Sequence, residues 1–150
     1  WLDRDRVTGA FVSGAIRFIE EARKEAKPFF LNLWPDDVHS PFFPSEARSK
    51  LKLKRKKYLA VCEDMDRQLG VLFDHVRNDP SLKQNTVIVV TSDNGPEPGA
   101  GSADPYRGHK GQLYEGGIRE PLIVWSPGLM DAKATGTWNE SSWLTACDVS

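Results

Sequence analysis

The chain has 150 residues, with 20 basic and 21 acidic side chains and a net charge of −1 at pH 7. A charge so close to neutral excludes the strong overall positive field of many nucleic-acid-binding proteins, and no stretch is long and apolar enough to be a transmembrane segment. The length suits one globular domain with its own hydrophobic core. Because the sequence opens on Trp1 and its first methionine is Met65, we expect it to be an internal piece of a longer protein.

Two helices are predicted from apolar residues that recur every three or four positions. The first stripe predicts a helix over about 8–24, and the second predicts a helix over about 55–77. The second stripe includes Cys62, which we expect to act as a small buried hydrophobic residue and not to form a disulfide with Cys147. The stripes consist of Val7, Phe11, Ala15, Phe18 and Ala22, and of Tyr58, Cys62, Met65, Leu69, Leu72 and Val76.

Three short apolar runs predict strands: FFLNLW (29–34), TVIVVTS (86–92) and PLIVW (121–125). A segment rich in glycine and proline separates the last two, and WLTACDVS (143–150) predicts the start of a further helix. Helices that alternate with apolar strands indicate an α/β fold with layers packed on one sheet. We expect all three strands in that sheet, with the ends of the first two at the same edge.

A basic run follows the first predicted strand. It comprises Lys50, Lys52, Lys54, Arg55, Lys56 and Lys57, and we refer to residues 50–57 as the basic segment. Such a run could attract a polyanion such as a sulfated glycan. It is more commonly the composition of a solvated entry to the second helix. No aromatic residues are interleaved with the charges, so a nucleic-acid-binding platform is not indicated.

Three positions carry side chains suited to chemistry. Asp93 and Asn94 follow a buried strand and offer hard oxygen atoms, which suit calcium or magnesium better than zinc, and Gly95 then turns the chain away. His39 follows the first strand within VHSPFFP. Lys110 lies between two glycines in GHKGQLYEGGIREP, where the backbone can approach a ligand closely. Each position alone is also consistent with a turn, a structural histidine or a solvated lysine.

Taken in order, these stretches resemble the sulfatase family of the alkaline-phosphatase-like superfamily. The resemblance rests on PFFLNLWPDDVHSPFFP, YLAVCEDMDRQLGVL, NTVIVVTSDNGPE and RGHKGQLYEGGIREPLIVWSPG, and it spans about residues 8–150. It is closest to the branch of arylsulfatase A and N-acetylgalactosamine-6-sulfatase. The resemblance implies that the chain is part of a sulfatase catalytic domain, with a mixed, mostly parallel sheet flanked by helices.

The resemblance also implies a role for each candidate residue. Asp93 and Asn94 are expected to be two ligands of a calcium ion, or of magnesium. Lys110 is expected to bind the sulfate oxygens and to stabilise charge on the leaving oxygen. His39 is expected to hydrogen-bond the sulfate ester and to assist departure of the alcohol. We therefore expect these four residues to surround one cleft that binds a sulfated small molecule or glycan.

Neighbouring residues are expected to be secondary. Arg119 is predicted to brace the loop that presents Lys110, and His109 is a weaker candidate for substrate contact. Asp36 and Asp37, close to His39, could suggest a metal cluster, but the family places its metal elsewhere. The resemblance leaves the compartment open among periplasmic, secreted and lysosomal.

Part of the family's site is not in this sequence. The family's nucleophile is a formylglycine made from Cys or Ser in a C/S-x-P-x-R motif, and the sequence contains neither that motif nor the paired aspartates that complete the metal site. We expect both in an N-terminal region outside it, so the piece alone should be inactive. Two alternatives stay open. One is a phosphodiesterase or phosphonate hydrolase of the same superfamily, against which Asn94 counts because two-zinc members favour histidine there. The other is a non-catalytic protein that binds sulfated glycans.

Overall fold

The computed structural model describes residues 4–149. Its elements are helices α1 (Val7–Lys24), α2 (Lys54–Asn78), α3 (Pro80–Asn85) and α4 (Glu115–Ile118), and strands β1 (Ile88–Thr91) and β2 (Leu122–Trp125). Short 3₁₀ turns lie at Arg4–Arg6, Glu46–Arg48, Ala132–Ala134 and Ala146–Asp148. The two predicted long helices are confirmed to within one or two residues at each end. No helix within residues 4–149 is long and apolar enough to cross a membrane.

Helices α1 and α2 pack side by side and run in the same direction. Near the start of α1, the Gly9 N–H donates to Gln68 Oε1 at 2.7 Å. Three turns further along, Glu20 Oε1 lies 3.0 Å from His75 Nε2. The apolar stripes meet between these two contacts and form the main core, which α3 closes through a buried leucine. The core consists of Val12, Ala15, Ile19, Leu72, Val76 and Leu82.

The N-terminal half of α2 extends beyond the start of α1 and supports a second, smaller cluster. Phe42, Val61 and Ala100 are buried there together, and the Phe42 ring packs edge-to-face on Tyr58 with ring centroids 5.4 Å apart. This cluster joins the loop after residue 34 to the Gly/Pro-rich loop after β1. The same half-helix therefore holds both loops that carry candidate site residues.

The two strands form an antiparallel pair, in which Ile88 lies opposite Trp125 and Thr91 opposite Leu122. The first predicted strand, 29–34, differs from expectation because it is extended but pairs with no strand among the described residues. Its side chains nevertheless alternate. Phe29, Leu31 and Leu33 pack on the main core, whereas Phe30 and Trp34 are each 79% exposed. The sequence pattern thus predicts the extended conformation correctly, but a β-strand also requires hydrogen bonds to a partner strand.

Two smaller expectations concern the second helix and the C-terminal residues. Cys62 is half-buried, and burial raises the pKa of its thiol, as expected for a small hydrophobic residue. It forms no disulfide with Cys147, which is also within the described residues. The helix predicted to start in 143–150 is limited to the single turn Ala146–Asp148, and residue 150 lies outside the described residues.

Candidate functional site

Asp93 and Asn94 lie directly after β1, where the strand pair ends. Asp93 is exposed and Asn94 is half-buried. Neither side chain makes a hydrogen bond or ion pair with any other residue in 4–149. The turn is held by the Ser92 hydroxyl, which donates to the Asn94 carbonyl at 3.0 Å. Two oxygen-bearing side chains are thus left available for a ligand.

The glycine that follows them is required for space. Gly95 lies in the bend at 93–95, as predicted, but it does not adopt a left-handed conformation, so the bend itself does not require glycine. Its N–H donates to the Gly117 carbonyl at 3.0 Å, and a Cβ at Gly95 would overlap the Gly116 carbonyl oxygen. Gly116 and Gly117 are themselves buried against the carbonyls of residues 107–112. These three glycines allow two loops to pack backbone against backbone.

Lys110 lies in the second of those loops. Its backbone N–H donates to the Pro96 carbonyl at 3.1 Å, so its backbone contacts the chain two residues beyond Asn94. Gly108 (φ +99°) and Gly111 (φ +84°) on either side adopt left-handed conformations, which favour glycine on steric grounds. The loop therefore fixes the lysine backbone beside the turn that follows Asp93, and the side chain is half-buried.

The loop that carries His39 is attached to the start of α1. Buried Arg4 donates from Nη2 to the His39 carbonyl at 3.2 Å and to the Asp36 carbonyl at 3.1 Å. The Thr8 hydroxyl, which is fully buried, donates to the buried Asp37 carboxylate. The two aspartates considered for a metal cluster thus have structural partners. Within residues 4–149 no three His, Cys, Asp or Glu side chains are grouped so that they could hold a metal.

The imidazole of His39 is exposed and its tautomer follows from one contact. Nδ1 lies 2.7 Å from the Ser40 carbonyl oxygen. Since a carbonyl can only accept, Nδ1 carries a proton and donates. Nε2 is then the ring atom left for a ligand, and it carries a proton only in the imidazolium form.

Glu97, a residue without a predicted role, is influenced by the charges of several of these residues. A hydrogen bond from Lys54, with 2.9 Å between Nζ and Oε1, is the largest cause that lowers the pKa of this carboxyl. The positive charges of Lys54, Lys110 and His39 lower the pKa further. His39 and Lys110 therefore lie within electrostatic range of one carboxylate. The only sequence signal was an acidic residue placed directly after the D-N-G-P turn.

Glu120 occupies the corresponding position across the strand pair from Asp93. Burial raises the pKa of Glu120, and the negative charge of Asp93 raises it further. The register agrees with this proximity, because the last pair is Thr91 with Leu122, and Asp93 and Glu120 each lie two residues beyond it. Two carboxylates in mutual repulsion form an environment that a cation would stabilise.

Arg119 braces the loops, as predicted. Its guanidinium carbon lies 4.4 Å from the Tyr106 ring centroid and 5.0 Å from that of Trp143, and Nη1 pairs with Glu115 at 3.2 Å. His109, the weaker candidate for substrate contact, has Nδ1 at 2.8 Å from the Lys110 carbonyl oxygen, which helps to shape the loop.

His39 and Lys110 each lie within electrostatic range of Glu97, three residues after Asn94. Asp93 lies on the Glu120 side of the same turn. That all four predicted residues line a single cleft stays a prediction.

Comparisons with known proteins identify the family of the chain. The sulfatase family model matches residues 7–143. The chain belongs to the sulfatase family. Members of this family are generally dependent on a metal ion and on formylglycine, and they act on sulfated substrates.

Named relatives give the same picture. N-acetylgalactosamine-6-sulfatase from Sus scrofa is 33% identical over 132 residues, which cover 84% of this chain and 25% of the relative. Human arylsulfatase A is 29% identical over 122 residues, covering 79% of this chain and 24% of the relative. The solved structure of Ps i-CgsB in complex with k-i-k-neocarrahexaose matches with a TM-score of 0.71 and 30% identity, over 81% of this chain and 28% of that one.

These matches confirm the predicted family and α/β fold class. The chain spans about a quarter of the length of the sulfatases that it matches.

Proposed function

We propose that this chain is the leaving-group side of a sulfatase active site, within the catalytic domain of an enzyme that hydrolyses sulfate monoesters. The observation that carries the proposal is the hydrogen bond from the Lys110 N–H to the Pro96 carbonyl at 3.1 Å, which holds Lys110 beside Asp93 and Asn94. His39 and Lys110 are both within electrostatic range of the next residue, Glu97. A histidine, a lysine and two hard oxygen donors are the groups needed to bind a sulfate ester and to stabilise its departing oxygen.

The residues present fit a calcium or magnesium ion. Asp93 and Asn94 supply a carboxylate and a carboxamide oxygen, which hard cations accept and zinc does not favour. A second carboxyl lies close to this turn, because burial and the charge of Asp93 raise the pKa of Glu120. A bound ion would polarise the sulfate oxygens. Two side-chain ligands bind such an ion weakly, so further ligands are needed from elsewhere in the intact enzyme.

Lys110 and His39 both act on the leaving oxygen, in different ways. Cleavage of the S–O bond places negative charge on the bridging oxygen, and the Lys110 ammonium stabilises that charge more in the transition state than in the ground state. His39 holds its Nδ1 proton on the Ser40 carbonyl. It therefore donates to the leaving oxygen from Nε2, as the imidazolium. The Glu97 carboxylate lies within electrostatic range of both side chains.

The nucleophile is proposed to come from another part of the intact enzyme, as a formylglycine. The 150 residues contain no C/S-x-P-x-R motif, so the chain alone should not turn over substrate. The names of the relatives and the oligosaccharide ligand of Ps i-CgsB favour a carbohydrate sulfate as the natural substrate.

The first test compares variants of the full-length protein on 4-nitrophenyl sulfate. Lys110→Ala should lower kcat by about a hundredfold, since removing one preorganised donor costs roughly 3 kcal/mol. Asp93→Ala should lower it further and be rescued only in part by excess calcium. Lys133→Ala serves as the control, because its exposed side chain has no hydrogen bond or ion pair within the described residues. A Lys110→Ala enzyme within threefold of the parent would contradict the assignment.

The role of His39 is tested by varying the leaving group. His39→Ala should slow hydrolysis of a sugar sulfate far more than that of 4-nitrophenyl sulfate, because nitrophenolate departs without a proton and a sugar alkoxide does not. Equal losses on both substrates would show that His39 only binds the sulfate. Parallel assays with 4-nitrophenyl phosphate and a phosphodiester test the related hydrolases, and faster turnover of either than of sulfate would overturn the proposal.

A further inference from the structure

The basic segment is a concentrated positive surface on a chain that is otherwise acidic. Its eight residues carry six positive charges and no negative one, so the remaining 142 residues have a net charge of −7. Lys50, Lys52 and Lys56 are exposed. Their side chains make no hydrogen bond or ion pair with any residue that the structure describes. These three lysines are therefore available to a ligand.

The positive charges of the basic segment destabilise the helix that they begin. Four consecutive basic residues, 54–57, form the first turn of α2, which contains no acidic side chain. The N-terminus of a helix already carries a partial positive charge, so each added cation there destabilises the helix slightly. An anion bound across this turn would reverse that effect.

The segment is continuous with the candidate site. Lys54 donates to Glu97 at 2.9 Å and to the Pro98 carbonyl at 2.8 Å, and Arg55 donates to the Ala100 carbonyl at 3.0 Å. These two residues fasten the loop after β1 onto α2. Glu97 follows Pro96, whose carbonyl accepts a hydrogen bond from the Lys110 N–H at 3.1 Å, and it is within electrostatic range of Lys110 and His39. The basic segment is therefore adjacent to the candidate sulfate site.

We propose that the basic segment binds additional sulfate groups of a polysulfated glycan whose scissile sulfate lies at His39 and Lys110. This inference rests on the proposed function and adds a substrate class to it: chains that carry several sulfates. Nucleic acid is disfavoured because stacking needs exposed aromatic rings. The segment itself has none, and the adjacent Tyr58 is packed on Phe42.

The test uses two charge-reversal variants of the full-length protein. The first is Lys52→Glu with Lys56→Glu. The matched control, Arg17→Glu with Lys133→Glu, changes the net charge equally at exposed side chains. Arg17 lies at the level of the second half of α2, roughly 25 Å from Lys56 at 1.5 Å per residue. Lys56→Glu introduces an acidic residue into the first turn of α2, which is favourable for the helix, so weaker binding could not be attributed to unfolding.

Two readouts separate this inference from the proposed function. Binding of a fluorescein-labelled dextran sulfate oligosaccharide should weaken at least tenfold in the first variant, with a reduced dependence on salt, and stay near that of the parent in the control. The KM for a polysulfated oligosaccharide should rise in parallel, while kcat/KM for 4-nitrophenyl sulfate stays unchanged. A parent protein that cleaves no sulfate ester would refute the proposed function, not this binding surface.

Three results would overturn the inference. The first is equal weakening in both variants, which would indicate an effect of net charge alone. The second is dextran sulfate binding that is unchanged in the first variant. The third is a DNA oligonucleotide of equal charge that binds the parent as tightly as dextran sulfate does, which would indicate a general polyanion surface.

Discussion

Replacing Gly117 by alanine should separate the packing of the site from its chemistry. Gly117 is buried, and its N–H donates to the Tyr114 carbonyl at 2.7 Å. A Cβ built on it would lie 2.6 Å from the His109 carbonyl oxygen and would overlap the carbonyl oxygen of Gln112. Both atoms are backbone, so neither can rotate aside as a side chain could. The loop that carries Lys110 lies between them and must move.

The size of the movement follows from the contact distances. Real Cβ atoms essentially never come within 3.0 Å of such an atom, so the loop must shift by roughly half an ångström to 1 Å. Overpacking of this kind costs about 1–3 kcal/mol of stability. Misplacing a catalytic group by about 1 Å costs on the order of a hundredfold in rate. Gly117→Ala should therefore lower the activity nearly as much as Lys110→Ala does, although the lysine is still present.

The assay is hydrolysis of 4-nitrophenyl sulfate by the full-length protein, together with urea unfolding. Gly70→Ala is the matched control, because no atom lies within 4 Å of a Cβ built at Gly70, in the middle of α2. That substitution should leave activity intact and stabilise the helix by roughly 0.5–1 kcal/mol. Full activity in Gly117→Ala, at unchanged stability, would refute the argument that close backbone packing positions Lys110.

Two further predictions concern the supports of the site loops. Asp64 is buried and accepts hydrogen bonds from the Ser45 N–H at 3.2 Å, from Arg67 at 2.7 Å and from Arg48. Burial raises the pKa of Asp64, but these hydrogen bonds outweigh burial, so the pKa is lowered. Asp64→Asn should therefore lower the free energy of unfolding by about 1–3 kcal/mol at pH 7. In urea unfolding this loss should shrink as the pH falls below about 4, because a carboxyl with a lowered pKa stabilises the fold fully only above its unfolded-state pKa. A loss equally large at pH 3 would contradict this reasoning. Thr8→Val keeps the side-chain shape but leaves the buried Asp37 carboxylate without its donor, so it should cost about 1–3 kcal/mol and speed amide hydrogen exchange at residues 36–39. Unchanged exchange there would show that α1 does not hold the His39 loop, and Ser13→Ala, at an exposed position of α1, is the control.

The sequence predicted the elements whose signal is local. The stripes of α1 and α2 repeat over four or more turns, so both helices could be placed closely. The segment 29–34 shows the limit of such a signal. Its alternation of buried and exposed side chains is that of a strand, but pairing depends on a second chain segment that periodicity cannot supply.

At the site, sequence identified the residue types but not how they are held. The chemistry of Asp93, Asn94 and Lys110 and the family resemblance are sufficient to predict them as site residues. Nothing in the sequence indicated that Gly95 provides space for Gly116, because close approach of two backbones is a property of the folded chain. Glu97 was missed for a related reason: an acidic side chain after a turn has meaning only once Lys54, Lys110 and His39 are seen around it.

The projection of α2 beyond α1 has a mechanical consequence. Helix α2 is held near Gln68 by hydrogen bonds to the start of α1. Further towards its N-terminus, Tyr58 and Val61 pack against the site loops. Ten residues of helix make a lever arm of roughly 15 Å. A tilt of about 4° at Gln68 would displace the far end by about 1 Å, a distance that matters for catalysis. Substitutions in the core around Val12 and Leu72 should thus change turnover although these residues do not contact substrate, because a small tilt of α2 displaces the site loops.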